Sequence, residues 1–302
     1  MGRGYQYFEK LTFKTRFFNL FRSLFQNLPF EKFLISKTYG KDPASFWAKL
    51  VPPEYLYEKN SCRSAIINGV KYKLDISDTV DHFIYFGFSD KAFDSIKSHV
   101  KKDSIIVDVG ANMGRFTLDF AFAARDGQII SYEPDPRSFE KLMCNIALND
   151  FQHIKTFKKA LGNALCVREL FKVNHHNAGM NRFVSGKIAD GIDSIETKVS
   201  VLDEEVKILG VTHIDIIKID VEGFEHKVLQ GAEESIKKYR PILFLELVDE
   251  NLKDHGDTPG DVIKWLRERK YSIFRASNMK VVDETSDLSK CHFDVLCLPE
   301  RN

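Results

Sequence analysis

Cysteine is scarce in this chain. Its 302 residues include five, Cys62, Cys144, Cys166, Cys291 and Cys297, scattered along the length. None forms a Cys-x-x-Cys pair, and an odd number in a chain this long does not read as a disulfide framework. A reducing interior is the expected setting, with Cys144 and Cys297 packing as small apolar groups inside a helix and a strand. Long hydrophobic runs are missing as well. No stretch reaches the roughly 18 apolar residues that a membrane span needs. The N-terminus lacks an uninterrupted apolar core and a small-residue cleavage site, so no cleaved leader is expected. Charge of one sign is also lacking: 44 Lys and Arg face 43 Asp and Glu. No polybasic domain is present to hold phosphates, so nothing in the charge argues for nucleic acid and no such partner is expected. Internal repeats and low-complexity segments are absent too.

What remains is an ordinary globular composition, 43% hydrophobic and 29% charged. That is enough for one large α/β domain and a smaller appended region. Three stretches differ in character. Residues 1–60 form a Phe-rich, basic extension with an amphipathic helix; nine Phe and nine Lys or Arg fall in the first fifty residues, against three Asp or Glu. From Leu11 to Leu28 the apolar Phe13, Phe17, Leu20, Phe21, Leu24 and Leu28 recur at helical spacing, with Thr15, Arg16, Asn19, Arg22 and Gln26 opposite. Two roles fit such a helix. It can lie at a membrane surface through residues 11–28, or pack on the catalytic domain or a twin subunit in a homodimer, the commoner fate of amphipathic helices. A cytoplasmic location, peripheral to a membrane if this helix binds one, follows. Pro43, Pro52 and Pro53 mark an irregular connection. Residues 61–102 then read as a hairpin about Asn68-Gly69 and a helix near Ala92–Lys101.

Residues 103–302 read as the main domain. Ile105–Val109, Gln128–Tyr132, Ile154–Phe157, Ile214–Ile219, Ile242–Leu247, Tyr271–Arg275 and His292–Leu298 are strand-like. The helical segments between them run to Arg125, from Pro136, over Phe224–Tyr239 and from the Thr258-Pro259 cap. Apolar strands separated by helices imply a mostly parallel sheet covered on both faces, with ligands beyond the carboxyl ends of the strands.

Those ends carry the informative residues. Asp108 closes the first strand, and Gly110, Asn112 and Gly114 shape the turn after it. A dinucleotide site would need Gly-x-Gly-x-x-Gly, yet the second and third glycine positions hold Asn112 and Arg115. No Walker Lys-Ser/Thr follows either. The turn suits the zwitterionic methionine end of S-adenosylmethionine, and Glu133 at the next strand end can accept both ribose hydroxyls.

Seven stretches, in order, carry a family resemblance: Val107-Asp-Val-Gly-Ala-Asn-Met-Gly114, Tyr132-Glu-Pro-Asp-Pro136, Asn145-Ile-Ala-Leu-Asn149, Ala160-Leu-Gly162, Ile217-Lys-Ile-Asp-Val-Glu-Gly-Phe-Glu225, Val228-Leu-Gln-Gly-Ala232 and Arg240-Pro-Ile-Leu-Phe-Leu-Glu-Leu247. The chain resembles the FkbM-type family of S-adenosylmethionine-dependent methyltransferases over roughly residues 79 to 250. The resemblance implies a doubly wound, mostly parallel, seven-stranded class I methyltransferase (Rossmann-like) α/β sheet, here with an N-terminal helical extension and short hairpin. It implies O-methylation of a sugar or other hydroxylated acceptor. Asp135 and Ala160, inside the matching stretches, join Asp108, Gly110, Asn112, Gly114 and Glu133 as expected donor contacts.

Methyl transfer to an alcohol is an in-line displacement that needs a base near the methyl group. Asp220, just past the fourth strand, is the leading candidate; the alternative is hydrogen bonding to Lys218 or capping of the next helix. Glu222 can share its role. His226, a turn beyond, and Glu246, near the end of the fifth strand, rank below; Glu246 can face the same cleft, the alternative being a charge satisfied by Lys218 or Arg240. Asp220, Glu222 and His226 could converge on a divalent ion, but so small a cluster is weak ground, and no metal is expected. His175 and His176 lie in an irregular stretch that could touch substrate. Two other functions compete. A nucleic-acid methyltransferase would show a Pro-Pro-Tyr/Phe run where this chain has Asp220-Val-Glu-Gly223, and a donor-binding module without catalysis would not need Asp220.

Overall fold

The computed structural model describes residues 12–173, 178–184, 192–283 and 286–300. His175 and His176 lie outside them. Two compact units divide the chain, one holding the residues up to Asp90 with Val173 and Gly179, the other the remainder.

The first unit opens with α1 (Phe13–Arg22), capped by the Thr12 hydroxyl, and a 3-10 turn at Ser23–Phe25. The chain then leaves the helix at Gln26, and Asn27 caps α2 (Leu28–Thr38), whose first turn holds Pro29. The single helix expected over Leu11–Leu28 is thus interrupted, because Asn27 and Pro29 start a new one. Next come β1 (Cys62–Ile67) and β2 (Val70–Asp75), paired antiparallel. Asn68 and Gly69 join them with φ of 50° and 87°, the left-handed backbone that a two-residue hairpin turn demands. α3 (Thr79–Tyr85) closes the unit. The fully buried Glu31 on α2 ties these elements together, accepting both Arg63 guanidinium bonds at 2.9 Å and the Tyr85 hydroxyl at 3.0 Å.

The second unit begins with α4 (Lys91–Lys97), shorter than the Ala92–Lys101 helix the spacing suggests. There follow β3 (Ile105–Val109), α5 (Arg115–Ala123), β4 (Gln128–Tyr132), α6 (Pro136–Ala147), β5 (Ile154–Phe157), β6 (Ala160–Leu161), β7 (Cys166–Phe171), β8 (Arg182–Phe183), β9 (Ser194–Ser200) and α7 (Leu202–Ile208). The remaining elements are β10 (Ile216–Ile219), α8 (Glu225–Gly231), α9 (Glu233–Tyr239), β11 (Ile242–Val248), α10 (Asp249–Lys253), α11 (Pro259–Glu268), β12 (Tyr271–Arg275), β13 (Lys280–Val281) and β14 (His292–Pro299).

The main sheet has the order β13-β12-β14-β11-β10-β3-β4-β5. Its five strands from β11 to β5 are parallel, while β14 runs antiparallel between β11 and β12, so that β12 points the same way as the five. The seven expected strands are all there, with the two-residue β13 added at one edge. Alternate residues face opposite ways and both faces are covered. Val107, Ile217, Ile219 and Leu243 enter one core, and Ile106, Ile216 and Phe244 the other. β3 has β4 on one side and β10 on the other, so the strand order reverses there, the switch point at which a crevice forms at the carboxyl ends of such sheets.

Three features depart from the sequence reading. A second sheet, β6-β9-β7-β8, fills the interval between β5 and β10. The helix expected over Phe224–Tyr239 breaks at Ala232, because the Asp203 carboxylate of α7 accepts the Glu234 and Ser235 N–H groups at 2.9 and 2.8 Å and so caps a new helix. All five cysteines are free, and Cys297 is buried, but Cys144 is exposed. Asn145 turns inward beside it and donates its amide to the Met113 carbonyl at 3.0 Å.

Candidate active site

The turn after β3 is built from backbone that side chains would obstruct. Gly110 has φ 80°, and a Cβ there would collide with the Asp220 carbonyl. Gly114, the N-cap of α5, has φ 98°, and a Cβ would come within 2.7 Å of Leu142 Cδ1. Asn112 also takes a left-handed φ of 49°, which Asn tolerates better than most residues. The turn therefore lies backbone to backbone against the segment that follows β10. α5 begins directly at this turn, so its N-terminus lies at the same end of the sheet.

Asp108 is wholly buried beneath this turn. Its Oδ2 accepts the Thr117 hydroxyl at 2.6 Å, and Lys218 Nζ stands 3.2 Å from Oδ1. Asp108 and Lys218 are direct partners across β3 and β10. Lys218 also donates to the Gly110 carbonyl at 2.6 Å. Asp108 thus shapes the turn from below through Lys218.

Glu133, at the end of β4, accepts Asn112 N–H on Oε2 at 2.7 Å and Asp135 N–H on Oε1 at 2.8 Å. Burial pushes its carboxyl up to about 7 against those two hydrogen bonds. Each oxygen keeps a further lone pair. Asp135 caps α6 through Oδ1, which accepts Arg137 and Ser138 N–H, while Oδ2 accepts the Asn181 amide. Ala160 pairs with Val199 in the small sheet and packs into the main core.

Beyond β10, three carboxylates converge. One oxygen each from Asp220, Glu222 and Glu246 lie within 4.8 Å of one another. Such an oxygen set can hold a divalent cation, though three carboxylates by themselves do not define a metal site. The Asp220 side chain is 39% exposed and stands 3.7 Å from Lys218 Nζ. Loss of hydration raises its carboxyl to about 6; Lys218 opposes the rise, and Glu246 and Asp108 add to it. Glu222, with φ 54°, accepts the Asn251 amide at 2.7 Å. Burial, then Glu246 and Asp220, hold it well above the usual carboxylate range. Glu246 pairs with His292 at 3.1 Å rather than with Lys218 or Arg240. His226 does not join this cluster. Its Nδ1 lies 2.7 Å from Asp257 Oδ1, with Lys227 on the other Asp257 oxygen at 3.0 Å.

Glu225 is the residue that sequence reasoning missed. It is buried, and its Oε1 accepts Val221 and Gly223 N–H at 3.1 and 3.0 Å. Glu225 thus holds the loop between β10 and α8 from below, and α8 has no side-chain cap, so the alternative of helix capping by Asp220 is not realised. The Gly223-x-Glu spacing was the signal available. Burial raises the Glu225 carboxyl to about 8.

Glu133 and Glu225 both titrate above their unfolded value of 4.5, so the folded chain holds protons that the unfolded chain releases. Their contribution to stability is complete below pH 4.5 and is lost as pH rises through about 7 and about 8. In the absence of ligand, Glu225→Gln should flatten the fall in melting temperature over this window, as followed by calorimetry. An unchanged slope would mean that Glu225 is ionised in the folded chain.

Comparison with known proteins identifies the family. The methyltransferase FkbM domain model matches residues 108–273, more than half of the chain. The 2-O-methyltransferase NoeI of Sinorhizobium fredii is 27% identical over 173 residues, 53% of this chain and 69% of that protein. Methyltransferase sdnD of Sordaria araneosa is 26% identical over 234 residues, covering 64% and 89%. The hexuronic acid methyltransferase AglP of Haloferax volcanii is 24% identical over 179 residues, covering 57% and 65%. With a class I sheet, a glycine turn at its switch point and this match over both, the chain belongs to the FkbM family of S-adenosylmethionine-dependent methyltransferases.

Proposed function

We propose that this chain methylates a hydroxyl oxygen on a sugar, glycan or glycolipid-type acceptor, with the donor on the Gly110–Gly114 turn and Asp220 as general base. When bound, S-adenosylmethionine supplies an electrophilic methyl group on a positively charged sulfur. Gly110, Asn112 and Gly114 let the backbone approach it, and the N–H groups that begin α5 suit its carboxylate. Glu133 accepts the ribose hydroxyls on the lone pairs left by Asn112 and Asp135. The turn's positive φ values and the Cβ collisions at Gly110 and Gly114 fit such a cradle. Asp108 acts through Lys218 as a positioning residue, and Asp135 through the start of α6.

One observation carries the acceptor side. The Asp220 carbonyl abuts Gly110, and its carboxylate stands one ammonium group away from the same turn. A carboxyl near 6 is largely ionised at neutral pH yet basic enough to take a hydroxyl proton as the C–O bond forms and the C–S bond breaks. Glu222 and Glu246 flank it as groups that orient the acceptor. The names of NoeI and AglP, a 2-O-methyltransferase and a hexuronic acid methyltransferase, support a hydroxylated sugar-like acceptor.

The test is transfer of an isotope-labelled methyl group to glycan, lipid and RNA extracts. Label is expected in the glycan or glycolipid fraction. Glu133→Ala should weaken S-adenosylhomocysteine binding about ten- to a hundredfold, since hydrogen bonds to a charged group contribute roughly 1.5–3 kcal/mol, and the label should fall with it. Label confined to RNA would move the reading to a nucleic-acid methyltransferase. Donor binding with no label in any fraction would favour a non-catalytic module.

A further inference from the structure

The amphipathic helix α1 is packed the opposite way from most. Its polar side faces the first unit: Asn19 is buried and donates to the Tyr55 hydroxyl at 3.1 Å, and Arg22 donates to the Lys49 carbonyl at 2.7 Å. Just past the helix, Gln26 donates to the Leu56 carbonyl at 2.6 Å. The apolar side is left outside. Phe13 is 85% exposed and Leu20 68%, with Phe17, Phe21, Leu24 and Leu28 exposed beside them. Burying the polar side and exposing the aromatic one costs free energy unless a further phase covers the exposed side.

The charges around this face identify that phase. Among the described residues 12–50, Lys14, Arg16, Lys32, Lys37, Lys41 and Lys49 are exposed, while Asp42 is the only exposed acid. Glu31, the other acid of this stretch, is buried against Arg63. Lys37 stands over the Phe33 and Trp47 rings at 5.7 and 5.8 Å, so cation and aromatic groups share one surface. A second copy pairing through the same patch would set this positive charge against itself, because a two-fold interface repeats each residue on both sides. Anionic headgroups would neutralise it, and Phe and Leu side chains would enter the acyl boundary beneath. We propose that the exposed face of α1 and the start of α2 dock on the surface of an anionic lipid bilayer. No helix among the described residues is long and apolar enough to cross one, so the contact is peripheral.

Flotation of the full chain with vesicles tests this. The chain should float with phosphatidylcholine vesicles containing phosphatidylglycerol, much less with phosphatidylcholine alone, and be released by salt. Phe17→Ser with Phe21→Ser should abolish flotation. Lys14→Gln with Arg16→Gln should weaken it about fivefold for each charge removed. Both pairs alter exposed side chains, and S-adenosylhomocysteine affinity should be unchanged in each; if the Phe pair misfolds, the Lys14 and Arg16 pair still decides. Absence of binding to anionic vesicles would overturn the proposal. So would flotation of both variants like the parent, or a dimer that the Phe pair dissociates without any vesicle binding.

Discussion

Replacing Lys218 by methionine is expected to lower the unfolding free energy by about 3–5 kcal/mol, the cost of breaking a buried ion pair by removing one partner. The side chain is fully buried between Asp108 and the Gly110 carbonyl. Burial works against its charge, but Asp108 and then Asp220 outweigh that and hold the ammonium above its ordinary value. Methionine fills similar space, so little cavity forms. What is lost is the counter-charge of Asp108, which would remain under the sheet with only the Thr117 hydroxyl to stabilise it. Pairing Lys218→Met with Asp108→Leu should recover much of the loss, because an apolar pair of similar volume carries no uncompensated charge. Urea unfolding of both variants measures the coupling. A single-variant loss below about 1 kcal/mol, the ordinary size for a point substitution, would show that Lys218 does not hold Asp108 as an ion pair. Donor affinity should fall as well, since Lys218 fixes the Gly110 carbonyl and with it the turn.

That buried pair marks where the sequence stopped being legible. The centre of the sheet could be read directly. Ile105–Val109 and Gln128–Tyr132 are strands with the bounds that apolar runs suggest, because covered parallel strands are largely apolar. The glycine turn could be read because left-handed backbone and close approach select particular residues. Partnerships across the fold could not. The spacing of α1 gave the two faces of the helix correctly but not which one is covered, since periodicity is the same for a face turned inward or outward. The break at Ala232 depends on Asp203, far away in sequence. The small sheet was missed because β7 is largely exposed and mixes charged with apolar residues. Convergence of the acids was half foreseen. Asp220 and Glu222 sit where the motif puts them, whereas Glu246 joins from the neighbouring β11 and His226 turns away to Asp257.

Asp220→Asn should lower kcat by about 10²–10⁴, the usual contribution of general acid–base catalysis, while S-adenosylhomocysteine affinity stays within a few fold. Asn keeps the shape and removes the basic oxygen. Glu222 is a poorer base candidate, because burial raises its carboxyl well above the usual range and its Oε2 already accepts the Asn251 amide. The pH profile separates catalysis from structure. A base must be ionised, so kcat/KM of the parent should rise with pH through about 6 and then level. The Asn variant should lack that limb. Burial, then Lys218, Glu246 and Asp108, set the position of the limb, so Glu246→Gln should move it to lower pH by removing a neighbouring negative charge. If Asp220 only balanced the charge of Lys218, its loss would lower melting temperature and donor affinity, and any surviving activity would keep the parental limb. Parental turnover in Asp220→Asn would remove the residue from the chemistry. Loss of kcat and of the limb, with donor binding intact, would place the proton on Asp220 as the methyl group moves.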